Sequence, residues 1–131
     1  MNVMEFLDER AVTVDVKAHQ SKEEVIRELA GLLVRAGSIK ERDVNKLVQT
    51  LLKRESLGST GIGQGVAIPH GKSDCVTKLV GAFGVSRAGV AFDALDGEPV
   101  TLFFLLVAPE DSAGPHLKAL ARISRLLKDK H

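Results

Sequence analysis

From Val100 to Val107 the chain reads Val-Thr-Leu-Phe-Phe-Leu-Leu-Val, with one hydroxyl and no charge. A run of this length suits a strand, and a strand without polar alternation is buried on both faces. Such a strand needs a sheet that carries helices on each side. The rest of the sequence supplies the partners. Val12 to Lys17 alternates weakly and predicts a short strand. Further strands are expected at 65–69 and 79–86. Asp96-Gly97 is a turn signal ahead of the last strand.

Two helices precede the main strands. Ser21-Lys22-Glu23-Glu24 is a capping box. The helix it opens places Val25, Ile26, Leu29, Leu32 and Leu33 on one side and ends at Gly37. Ser38 and Glu41 repeat the pattern, and the second helix buries Val44, Leu47, Val48, Leu51 and Leu52 before running out near Lys53-Arg54-Glu55. Residues 56–65, rich in glycine and hydroxyls, predict a loop. Pro115 suits the start of a last helix over His116–Lys128. The elements together predict an α/β domain with a mixed sheet and helices on both faces.

The stretch Gly61-Ile62-Gly63-Gln64-Gly65-Val66-Ala67-Ile68-Pro69-His70-Gly71 carries the chemistry. Pro69 holds Ile68 extended and cannot donate to a ladder, so strand pairing is expected to stop there. Gly71 leaves room for close approach. His70 is thus presented at a strand end as a nucleophile or base, or else caps a turn. Two nucleotide motifs fail here. The glycines are spaced G-x-G-x-G and lead into a strand, unlike a Rossmann fingerprint. Five residues separate Gly65 from Gly71-Lys72-Ser73, where a P-loop has four, and Pro69 lies inside. Arg54 is either a cation suited to a helix C-terminus or a guanidinium at the mouth of the His70 site. His116 is a helix-start residue on its own evidence, and His19 and His131 take no role.

Bulk properties narrow the partners. The 131 residues fit one domain, with 44% hydrophobic and 27% charged residues and a net charge of +1. No broad attraction to nucleic acid or an anionic membrane follows. Five Phe without Trp or Tyr make a poor stacking platform. Cys75, the single cysteine, reads as a small loop residue; as a metal ligand or reactive thiol it lacks partners at suitable spacing. No metal and no cofactor are expected, and a His70–His116 metal site lacks an acidic or thiol ligand. A hydrolase using His70 as base lacks a nucleophile with a partner acid. The N-terminus is no signal peptide, no segment is long enough to span a bilayer, and a reducing, cytoplasmic setting is expected.

Glu55, six residues, Ile62-Gly63, two residues and then Val66-Ala67-Ile68-Pro69-His70-Gly71 resembles the signature of enzyme IIA domains of the fructose/mannitol class. These belong to the bacterial phosphoenolpyruvate-dependent phosphotransferase system. Arg54-Glu55-Ser56-Leu57-Gly58-Ser59-Thr60-Gly61-Ile62-Gly63 resembles the nitrogen-related, regulatory branch more than the sugar-transport branch. The likeness spans the chain, 1–131, as a single enzyme IIA domain, and implies a three-layer α/β/α sandwich with a mixed central sheet. It implies that His70 accepts a phosphoryl group through Nε2, with Nδ1 held by a backbone carbonyl. Arg54 and His116 would bind the phosphate oxygens. Independently of the resemblance, the loop offers amides around Gly61 and Gly63 and the hydroxyls of Ser59 and Thr60 as phosphate-loop candidates. The implied donor is an HPr-like carrier, and phosphorylation state would signal to target proteins in nitrogen- and potassium-related regulation. The alternative is a sugar-specific IIA that passes phosphate to a separate IIB component in fructose- or mannitol-type uptake. Family members usually continue by another helix or two beyond the equivalent of Leu127–His131. Apolar surface there is expected to be exposed or covered by a second copy in a homodimer.

Overall fold

The computed structural model describes residues 5–18, 21–92, 94, 96–111 and 113–128, apart from the side chains of 113–117 and 128. The elements run β1 (Leu7–Thr13), α1 (Lys22–Arg35), α2 (Val44–Ser56), β2 (Gly61–Gly63), β3 (Val66–Ala67), β4 (His70–Lys72), β5 (Val80–Val90), β6 (Val100–Ala108) and α3 (Ala113–Lys128). Six strands form one sheet in the order β1-β5-β6-β3-β2, with β4 also on β6. The sheet is mixed: β1 is parallel to β5, β5 antiparallel to β6, β3 and β4 parallel to β6, and β2 antiparallel to β3.

The uncharged run is the strand that organises the molecule. Phe103, Leu105 and Val107 join the core shared with α1 and α2, while Phe104 and Leu106 join the core beneath α3. Period-two alternation on β6 therefore feeds two apolar layers, one on each face. This is the expected three-layer α/β/α arrangement.

Ser21 caps α1 as its sequence predicts, its hydroxyl accepting from the Glu24 amide at 3.2 Å. The helix closes on Gly37, whose φ of 77° no other residue takes comfortably. Ser38 N–H donates to the Leu33 carbonyl and Gly37 N–H to that of Val34, a Schellman closure. Ser38 does not cap α2, because the next helical turn starts only at Glu41. A single 3₁₀ turn at Glu41–Asp43 leads into α2 instead, without a side-chain cap.

Other boundaries move for physical reasons. The first strand lies at Leu7–Thr13, earlier than Val12–Lys17. It is an edge strand, and Asp8, Glu9 and Arg10 are the charges such an edge tolerates. Gly61–Gly63, expected as loop, form β2. A Cβ on Gly61 would lie 2.8 Å from Cα of Ala94, so missing side chains, not a hydrophobic pattern, let this strand sit under its neighbour. Gln64 and Gly65, with φ of 58° and 78°, turn β2 into β3 as a type I′ hairpin. The last helix begins at Ala113, and Pro115 sits in its first turn, where an amide lacks a partner anyway.

Candidate functional site

Pro69 does interrupt pairing, but pairing does not end there. Val66 faces Leu102 and Ala67 faces Phe103; after the gap His70 faces Leu106, with the same offset. The chain is one strand in constant register with a break at Ile68-Pro69. His70 thus opens β4 and does not close a strand.

The break supplies the partner of the ring. The Ile68 amide donates to the Thr60 carbonyl at 3.0 Å, on the side away from β6. The Ile68 carbonyl points the same way, as main-chain groups of one strand residue do. It meets Nδ1 of His70 at 2.7 Å. Only a protonated Nδ1 can donate there, which puts the neutral ring's lone pair on Nε2. Burial pushes the imidazole below its ordinary pKa. The Ile68 bond opposes that shift, Arg54 adds to it, and the Glu55 carboxylate opposes it. Burial thus favours the neutral form of the ring, with its lone pair on Nε2.

His70 and Arg54 share a depression of about 350 Å³, lined also by Thr50, Lys53, Leu57 and Gly71. Arg54 is half-buried in the last turn of α2, and its Nη1 donates to the Gly58 carbonyl at 2.8 Å. A guanidinium held at one nitrogen still has N–H groups to offer an anion. Strand and helix together therefore bring two of the expected groups to one place. Leu57, on the rim, is 81% exposed.

The hydroxyls and glycines are placed differently. Ser59 Oγ donates to the Phe92 carbonyl at 2.8 Å and accepts from the Gly61 amide at 3.0 Å. Thr60 is buried, and its hydroxyl donates to Glu55. Gly61 is packed on Ala94, and Gly63 lies beside the Asp96 carboxylate. None of the four lines the depression. Position 116 lies near the start of α3, but its side chain is outside the described residues.

Sequence reasoning missed the inner face of the α2 end. Glu55 is 6% exposed, and its carboxylate bonds the Thr60 amide at 3.0 Å, the Thr60 hydroxyl and Lys22 Nζ at 3.2 Å. Lys22 and Glu55 are 33 residues apart, so no local spacing announces the pair. The signature's acidic or amide first position was its only trace.

The family described as "Phosphoenolpyruvate-dependent sugar phosphotransferase system, EIIA 2" matches residues 5–131. A nitrogen regulatory protein of Bradyrhizobium diazoefficiens is 45% identical over 109 residues, covering 83% of this chain and 69% of that protein. The fructose-specific EIIABC component of Bacillus subtilis is 40% identical over 127 residues, covering 97% of this chain and 20% of that protein. The crystal structure of nitrogen regulatory protein IIA-Ntr from Neisseria meningitidis superposes with a TM-score of 0.84 at 40% identity, covering 96% of this chain and 84% of that one. With a signature histidine seated in this fold and the match running almost end to end, the chain belongs to the EIIA 2 family of the phosphoenolpyruvate-dependent sugar phosphotransferase system.

Proposed function

We propose that this enzyme IIA accepts a phosphoryl group on Nε2 of His70 from an HPr-like carrier, and that target proteins read its phosphorylation state in nitrogen- and potassium-related regulation. The observation that carries the reading is the Nδ1–Ile68 bond at 2.7 Å, which fixes tautomer and ring direction together. In the transfer, the carrier's P–N bond breaks as the Nε2–P bond forms. Catalysis needs in-line positioning and cations near the moving charge. Arg54 provides such a cation, and His116 is assigned the second phosphate contact. The nitrogen regulatory relatives support the regulatory branch. The likeness to a fructose-specific EIIABC protein favours a second reading, in which the phosphoryl group passes on to a IIB component.

The test incubates the chain with enzyme I, an HPr-like carrier and phosphoenolpyruvate. An acid-labile, base-stable label on His70 is expected, absent in His70→Gln. Arg54→Ala should slow labelling by about 100-fold, the usual effect of removing one charge-stabilising donor. A label on another residue overturns the assignment. Sugar phosphate formed on adding a IIB component and its permease selects the second reading.

A further inference from the structure

We propose that Glu55 is a positioning residue for phosphoryl transfer: its carboxylate fixes the turn at 57–60, and that turn holds the Arg54 guanidinium at the His70 depression. The inference rests on His70 being the phosphoryl acceptor.

The turn is tied to Glu55 twice. Its main-chain carbonyl accepts from the Gly58 amide at 3.1 Å, and its carboxylate takes both the amide and the hydroxyl of Thr60. The Gly58 carbonyl, set between these ties, is the group that receives Arg54 Nη1. Adjacent residues on α2 thus do different work: Arg54 lines the depression and Glu55 turns inward. Lys22, the first residue of α1, completes the arrangement. It pairs with Glu55 and lies over the Phe92 ring, 5.2 Å from its centroid.

Stability alone does not account for a carboxylate here. Buried ion pairs are commonly replaceable by apolar residues of similar volume without loss. What apolar residues cannot supply is direction: an acceptor that two donors of one short turn must meet. A fixed cation and a fixed ring are the parts that in-line transfer requires.

The test measures phosphoryl transfer from the charged carrier to the full chain, with folding checked by circular dichroism. Lys22→Met with Glu55→Met removes both Thr60 bonds without stranding a charge and should lower kcat by about 10- to 100-fold, as small misplacements do. KM for the carrier should stay within about 2-fold, because no docking contact is removed. In an Arg54→Ala background the same change should add less than about 2-fold, since both act through one group. Thr60→Val deletes one tie alone, should lower kcat by a smaller factor, and carries the test should the charge variants not fold. An equal penalty with and without Arg54 overturns the proposal, as does a folded variant transferring at the wild-type rate. An unlabelled wild-type His70 instead sinks the phosphocarrier reading on which the proposal stands.

Discussion

His70 shows how one ring is tuned by main chain and burial together. Because burial lowers its pKa, the lone pair should persist on Nε2 into mildly acidic solution, below the pH at which an ordinary histidine is protonated. The rate of phosphoryl acceptance against pH should therefore fall at lower pH than for an exposed histidine. The same shift has a stability consequence of fixed sign. Between the lowered folded pKa and the ordinary unfolded one, the unfolded chain binds more proton. The stability His70 contributes is present above the unfolded value and declines as pH falls through that window. His70→Gln should flatten this part of the profile, which urea titrations of both proteins at about pH 8 and about pH 5 compare directly. A parallel decline in the two proteins would mean that the ring is not shifted.

At the level of elements, β2 depends on close approach. Gly61→Ala places a methyl 2.8 Å from the Ala94 main chain, which has no flexible tip to move aside. Overpacking of this kind costs about 1–3 kcal/mol. Chemical denaturation should show that loss, while the folded fraction still accepts phosphate through His70. A loss of labelling with unchanged stability would instead return Gly61 to the phosphate. The α1 end makes a complementary case. Arg10 Nη2 reaches the Ala36 carbonyl at 3.0 Å, and Arg35 donates to the carbonyls of Arg10 and Val12. The charged residues that concealed β1 in the sequence thus fasten it to the helix that covers it.

Across the molecule, the sheet divides two apolar layers, and the α1/α2 layer is the more extensively buried. Leu29 is fully buried in it, against the face of β5 where Gly84 leaves room. Leu29→Ala should cost about 2–5 kcal/mol, read from the midpoint of urea unfolding at unchanged slope. The helices of this layer were legible because their stripes repeat every three or four residues, and β6 because it lacks any polar break. His70 was legible through its proline and glycine. β2 was not, because glycines carry no pattern, and the resumption of pairing at β4 was hidden by a proline that ordinarily ends a strand. The role of Glu55 was out of reach for a different reason: its partners come from another helix and from a turn, and only folding brings them together.

The ring at the strand break divides its labour between two nitrogens. Nδ1 occupies an outward carbonyl that a bare sheet edge would offer to a passing chain, and Nε2 is left to the chemistry. Gaining or losing PO3 therefore need not disturb the ladder. The charged and uncharged molecules should share one backbone. On the proposed phosphocarrier reading, a partner would sense a local change of about −1.5 to −2 elementary charges, a message written in field and not in shape.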